Sequence, residues 1–151
     1  MGLKPLNDLG EFTKDRRVRV RAEKFQELWD ELEQMELPLS VSSFINSEVD
    51  HLNSLDDKGA VFRQLGSSQS AILKLLKEEL DLIPSNYYRN QWVALGMVVF
   101  GVPLGTILGL SLQNMAFIGV GLPIGLAIGI GVGISLDKRA REEGRQLNFE
   151  A

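Results

Sequence analysis

Residues 90–136 read NQWVALGMVVFGVPLGTILGLSLQNMAFIGVGLPIGLAIGIGVGISL, a stretch without a single Asp, Glu, Lys, Arg or His. A bilayer hydrocarbon core about 30 Å thick is crossed by roughly 20 helical residues. The stretch is too long for one crossing and fits two. We therefore predict a transmembrane hairpin with spans at 92–112 and 116–136, joined by a short turn at 113–115.

Glycine recurs at every fourth position in both predicted spans, which places each set on one face of its helix. The two halves also resemble each other, because GVPLGTILG at 101–109 aligns with GLPIGLAIG at 121–129. Glycine is common in membrane helices in general, but two regular sets favour packing, either within one hairpin or between hairpins. The predicted helix-packing residues are Gly101, Gly105, Gly109, Gly121, Gly125, Gly129 and Gly133.

Charged and aromatic residues flank the stretch and predict its orientation. Basic residues concentrate on the two outer flanks, whereas the turn between the spans carries no charge. The positive-inside rule then places both termini in the cytoplasm, in a cell inner (plasma) membrane, with the lipid bilayer as a partner. The predicted membrane-interface residues are Tyr87, Tyr88, Arg89, Trp92, Lys138, Arg139 and Arg141.

The remaining chain is predicted to be helical, so the fold class is all-α: a small cytoplasmic helical domain at 16–89, after a flexible lead-in at 1–15, plus the hairpin. Apolar residues recur with three- and four-residue spacing, as at Phe25, Leu28 and Leu32, which predicts amphipathic helices. We expect Pro38 to end the first helix and serines at 40–43 to cap the second. A small bundle is favoured over a dimeric stalk.

The rest of the chain is predicted to contain further helical segments and a basic cluster. Gly66 is predicted to close a short helical piece, with a third main helix over about 70–82. The charged cytoplasmic tail at 137–151 should continue the second span as a helix until Gly144, with Asp137 and Arg141 as an i,i+4 pair. The basic cluster at 16–21 either begins a solvated helix or contacts lipid headgroups, and the sequence leaves both open.

Composition argues against several classes of function. Acidic residues outnumber basic ones, 20 against 16, so nucleic acid is not an expected partner. The chain has no cysteine and one histidine, His51, which gives no basis for a metal site, a thiol nucleophile or a cofactor site. No catalytic residues are predicted, and we expect a protein that is not an enzyme.

The glycine ridges are followed by SLDKRAREEGRQL at 135–147, a charged closing segment. Over about 95–147 the chain resembles the small bacterial glycine-zipper membrane proteins with two helices. The resemblance implies a bacterial membrane protein that packs through glycine. It transfers no functional residues.

Two functional hypotheses follow. In the first, the hairpin self-associates into a homo-oligomer and the cytoplasmic domain binds an unknown cytoplasmic protein at the membrane, through an exposed face containing Phe25, Trp29 and Met35. In the alternative, the hairpins form an oligomeric pore or perturb the bilayer when the cytoplasmic domain is triggered.

Overall fold

The computed structural model describes residues 2–6 and 13–150 and divides into two compact units. The bundle unit contains the described residues up to Ile83 together with Leu147–Phe149. The hairpin unit contains Pro84–Gln146 and Glu150. Each unit has its own internal packing.

Three helices form the bundle unit: α1 (Arg16–Glu33), α2 (Leu39–Asn53) and α3 (Lys58–Leu80). Both α1 and α2 pack against α3. The apolar residues predicted from the helical spacing lie inward, between the three helices of one chain. The fully buried core side chains include Phe25, Leu28, Leu32, Ile45, Leu52, Leu65, Ile72 and Leu76.

Aspartate caps begin two of these helices. The Asp15 carboxylate accepts a hydrogen bond of 2.8 Å from the backbone N–H of Arg17, and the Asp57 carboxylate accepts one of 2.7 Å from Ala60. Each bond satisfies an N–H that has no partner within its helix. Asp57 therefore marks the start of α3.

The predicted serine cap of α2 is wrong. This helix begins at Leu39, directly after Pro38, and has no side-chain cap. The hydroxyls of Ser42 and Ser43 instead donate to carbonyls three residues earlier. Proline with its fixed φ angle can lead into a helix without a capping side chain. The first helix, α1, already ends at Glu33, so Pro38 is not the residue that ends it.

The predicted helix end at Gly66 is also wrong, because α3 runs through it without a break. A Cβ atom built on Gly66 would lie 2.6 Å from Nη1 of Arg21. That guanidinium lies 4.0 Å from the centre of the Phe62 ring and donates a 2.9 Å hydrogen bond to the Phe62 carbonyl. Glycine at position 66 makes room for Arg21 and does not end the helix.

The lead-in predicted at 1–15 has local structure where it is described. The backbone N–H of Lys4 donates to Oδ1 of Asn46 at 2.7 Å, and its ammonium group pairs with Asp50 at 2.6 Å. Residues 2–6 thus lie alongside α2 within the bundle unit. Residues 7–12 lie outside the described residues.

Two short strands add a feature that an all-α fold does not include. Strands β1 (Ile83–Ser85) and β2 (Gln146–Glu150) form a two-stranded sheet. Leu147 and Phe149 of β2 are buried in the core of the bundle unit. The alternation of polar and apolar residues in QLNFE is the sequence signal of this strand, and the predicted charged tail at 137–151 missed it.

Glu31 of α1 holds β2 in the bundle unit. Its carboxylate accepts hydrogen bonds from the backbone N–H groups of Asn148 at 2.6 Å and Phe149 at 2.9 Å. The Asn148 side-chain amide donates a third bond at 3.1 Å. Charge-assisted hydrogen bonds of this kind are stronger than those between neutral groups.

The hairpin unit contains two long helical segments. The first joins α4 (Tyr87–Gly96), a π-helical turn (Met97–Gly101) and α5 (Val102–Ser111). After a 3₁₀ turn at Met115–Phe117, α6 (Ile118–Glu142) forms the second. Segments Tyr87–Ser111 and Met115–Glu142 are long and apolar enough to cross a membrane. The predicted spans lie within them except for Leu112, and the helices extend beyond them at the charged end.

Candidate functional site

Backbone contacts between glycines hold the two segments of the hairpin together. A Cβ atom built on Gly125 would lie 2.5 Å from the backbone N of Gly101 and 2.5 Å from the carbonyl oxygen of Gly96. One built on Gly121 would lie 2.5 Å from Cα of Gly105. These separations are far below van der Waals contact, so the two helices can approach this closely only where side chains are absent.

The same arrangement continues toward both ends. A Cβ on Gly129 would collide with the carbonyl oxygen of Trp92, and one on Gly133 would lie 2.5 Å from Cα of Arg89. Near the turn the fit is looser, because a Cβ on Gly109 would lie 3.3 Å from Cγ1 of Ile118. All seven predicted glycines are buried and lie between the two segments of one hairpin.

Gly96 belongs to this interface, and the sequence reasoning missed it. It precedes Gly101 by five residues, so it falls outside the four-residue series. The π-helical turn accommodates the additional residue, with the backbone N–H of Val102 donating to the carbonyl of Met97. Pro103, which has no N–H to donate, follows directly. A five-residue glycine interval just before a proline is the signal that could have identified Gly96.

The outer surface of the hairpin has the opposite character. Among the described residues, every exposed large hydrophobic side chain except Val20 and Leu39 lies between Leu95 and Ile134. Only 22% of an 18-residue apolar stretch in each segment is buried, whereas the core helix of a soluble protein is mostly buried. Gly119 and Gly131 face open space, since a Cβ on either would meet nothing within 4 Å.

Asp137 joins the end of the second segment to the start of the first. Its carboxylate accepts hydrogen bonds from the backbone N–H groups of Tyr88 at 2.9 Å and Arg89 at 3.0 Å, and the residue is 8% exposed. Asn86, which precedes α4, makes no side-chain cap. The predicted role of Asp137 as an i,i+4 partner of Arg141 is therefore replaced by that of a cap supplied by another helix.

The predicted membrane-interface residues lie at this same end of the hairpin, at the start of α4 and along the last turns of α6. The rings of Tyr87 and Tyr88 meet edge to face, with centroids 5.3 Å apart. Arg89 pairs with Glu150 at 3.9 Å. The other predicted interface residues are Trp92, Lys138, Arg139 and Arg141.

The predicted partner face requires correction. Phe25 and Trp29 are only 1% and 5% exposed and belong to the core of the bundle unit, and Met35 is half-buried against that core. Their helical spacing reflects internal packing. They do not form an exposed face.

Polar clusters in the bundle unit connect helices. The hydroxyl of Ser68, which is fully buried, donates a 2.5 Å hydrogen bond to the Glu48 carboxylate, and the Gln64 amide donates to Ser68 at 3.1 Å.

In residues 2–6 and 13–150, no group of three or more His, Asp or Glu side chains is arranged to hold a metal ion. The sequence-based expectation of no catalytic, cofactor or metal site stays a prediction.

No protein family model, curated protein or solved structure matches this chain significantly. The resemblance to glycine-zipper proteins therefore stays a prediction.

Proposed function

We propose that the chain is a non-enzymatic integral membrane protein in which the hairpin crosses the bilayer twice and anchors a helical domain that binds a protein partner at the cytoplasmic surface. The observation that carries this proposal is the distribution of side chains on the hairpin. Close glycine contacts lie between its segments, and large apolar side chains cover its outside.

The exposed apolar surface favours insertion over solubility. Val98 is 66% exposed and Leu110 60% exposed, and similar side chains surround both segments. A continuous apolar surface of this extent is unfavourable in water and favourable in lipid. Both segments are helical along their length, so apart from the positions affected by Pro103 and Pro123 their backbone groups bond within the helices, as a bilayer interior requires.

The same distribution favours an anchor over a pore. The polar side chains within the segments make local bonds: the Thr106 hydroxyl donates to the Val102 carbonyl at 2.8 Å and the Ser135 hydroxyl to the Gly131 carbonyl at 3.0 Å. An oligomeric pore needs a polar lining, and no ionisable residue lies in 90–136. Self-association through the predicted glycines would require the contacts within each hairpin to open.

The partner-binding part of the proposal rests on the bundle unit. Val20 and Leu39 are its exposed large hydrophobic side chains among the described residues. Its surface is therefore mainly polar, and its sequence contains more acidic than basic residues. A partner with a polar, basic surface fits this composition through electrostatic complementarity.

The test is reconstitution of the full chain into phosphatidylcholine liposomes that contain a self-quenched dye. We expect the protein to float with the vesicles, to resist extraction by sodium carbonate and to leave the dye inside. Extraction by carbonate would contradict insertion. Dye release by the wild-type protein would support the pore alternative and contradict a simple anchor.

Packing variants sharpen this test. Gly129→Leu places a large side chain against Trp92, whereas Gly131→Leu adds the same side chain on the open face of the same helix. For an anchor, neither variant should release dye, although Gly129→Leu should destabilise the hairpin. Release that is abolished by Gly129→Leu alone would support a glycine-packed pore.

A further inference from the structure

A groove beside the last turns of α6 is a second feature of the hairpin unit. Its volume is about 460 Å³. It is open to solvent, and its walls come from the β1–α4 connection, the exposed side of α6 and the start of β2. Residues that contribute to the walls include Ser85, Asn86, Ile134, Lys138, Arg141 and Gln146.

The charges in this groove favour an anion. Arg141 forms no side-chain hydrogen bond or ion pair with any residue in the described part of the chain. Lys138 has one exposed ion pair, at 3.7 Å, with Glu142. A guanidinium group presents several donors in one plane and an ammonium group adds a compact charge, which together suit the oxygens of a phosphate.

Among the described residues, the one carboxylate that lines the groove is already engaged. Asp137 accepts hydrogen bonds from the N–H groups of Tyr88 and Arg89 at the start of α4. Those groups lie at the positive end of the helix dipole, which offsets the carboxylate charge. The repulsion between Asp137 and an anion is therefore reduced.

The order of side chains along α6 matches an amphiphilic ligand. Ile134, Lys138 and Arg141 follow one another at intervals of four and three residues, so they share one helix face. Ile134 is 51% exposed and lies toward the apolar segment, about 10 Å along the helix axis from Arg141. An acyl chain can lie beside Ile134 while a phosphate contacts the two cations.

We propose that this groove binds the phosphate of an anionic phospholipid headgroup through Arg141 and Lys138, with the start of an acyl chain against Ile134. The inference rests on the proposed insertion of the hairpin, which brings the groove to the lipid headgroups. Free phosphate offers the same oxygens but has no apolar part that could contact Ile134. The apolar wall therefore favours a lipid as the ligand.

The test measures lipid binding to the full-length protein in neutral detergent micelles by native mass spectrometry, with short-chain phosphatidylglycerol and phosphatidylcholine as probes. Neutral micelles remove the general surface potential of an anionic bilayer. We expect phosphatidylglycerol to bind about tenfold more tightly than phosphatidylcholine, because the cationic headgroup of the latter opposes Lys138. Arg141→Gln should reduce phosphatidylglycerol affinity by about tenfold.

Arg139→Gln is the matched control, since it removes the same charge from the same helix but from a residue that does not line the groove. It should change affinity by less than about twofold if a defined site binds the lipid. Equal losses in Arg139→Gln and Arg141→Gln would overturn the proposal, because general electrostatic attraction would then explain binding. Equal binding of the two lipids by the wild type would also overturn it.

Ile134→Gln and inorganic phosphate distinguish the two sources of phosphate. Ile134→Gln changes an exposed side chain and should weaken phosphatidylglycerol binding. Displacement of the lipid by equimolar inorganic phosphate would overturn the lipid assignment in favour of a free anion. Carbonate resistance of the same protein preparations is measured separately after reconstitution into liposomes, so a protein that inserts there but binds no phosphatidylglycerol in micelles refutes the groove proposal alone.

Discussion

The carboxylate of Asp137 accepts a 2.9 Å hydrogen bond from the backbone N–H of Tyr88, 49 residues earlier in the chain. A second bond, from Arg89 at 3.0 Å, completes a cap that one helix of the hairpin supplies to the other. The turn at Met115–Phe117 closes the opposite end. The two segments are therefore joined at both ends, with the glycine contacts between them.

Replacing Asp137 with alanine should open the charged end of the hairpin. The first amides of α4 would lose their acceptor, and a lost cap costs about 1–2 kcal/mol. Hydrogen exchange in micelles should show faster exchange at the amides of Tyr88 and Arg89, with little change in residues near Gly105. Unchanged exchange at those two amides would show that Asp137 does not cap α4 in the micelle-bound protein.

The glycine interface predicts a difference between two neighbouring substitutions on α6. Gly129→Ala places a methyl group against the Trp92 carbonyl, whereas Gly131→Ala adds it on an open face. Overpacking of this kind costs about 1–3 kcal/mol, and alanine at the open site should be neutral or slightly stabilising. Unfolding in sodium dodecyl sulfate, followed by circular dichroism, measures the difference. Equal stability of the two variants would contradict the close contact at Gly129.

The bonds from Glu31 to β2 predict a local effect in the bundle unit. Glu31→Gln removes a charged acceptor shared by the N–H groups of Asn148 and Phe149. Hydrogen exchange should be faster at these two amides. The core amides of α3 should stay protected from exchange, because the three-helix core does not depend on this carboxylate. Glu27→Gln, one turn earlier on the exposed side of α1, is the control. If both variants behave alike, Glu31 does not hold the strand.

Asp15 gives the bundle unit a dependence on acid pH. The hydrogen bond from the Lys58 ammonium group, at 2.5 Å, and that from the Arg17 N–H hold the pKa of Asp15 below its usual value. A carboxyl whose pKa is lower in the folded state stabilises the fold above its unfolded pKa, and this contribution is lost as pH falls through the folded pKa. Asp15→Asn should therefore be less stable than wild type at neutral pH, and the difference should shrink in acid. Thermal unfolding at several pH values tests this, and a difference independent of pH would contradict it.

Regular spacing made much of the fold predictable. The four-residue glycine series and the apolar spacing of α1 both correspond to faces that the structure buries. The bounds of the spans were less predictable, since both helical segments continue into polar sequence where Asp137 supplies a cap from a distant position. A contact between residues 49 positions apart leaves no periodic signal.

Other residues are hard to assign from sequence because one residue type serves several roles. Gly66 was expected to end a helix, but it makes room for Arg21. Gly96 was not included because the π-helical turn changes the helical register. The stripe containing Phe25 and Trp29 has the spacing of a core, and apolar stripes on helices of small domains usually face inward, so the predicted exposed face does not form.

Topology mapping with single cysteines tests the central claim most directly, because the chain has no cysteine of its own. Ser67→Cys lies on the exposed side of α3, Met115→Cys in the turn of the hairpin and Glu142→Cys at the end of α6. In sealed vesicles treated with a membrane-impermeant maleimide, a hairpin that crosses twice should label Ser67→Cys and Glu142→Cys from one side and Met115→Cys from the other. Labelling of all three positions from the same side would contradict the account.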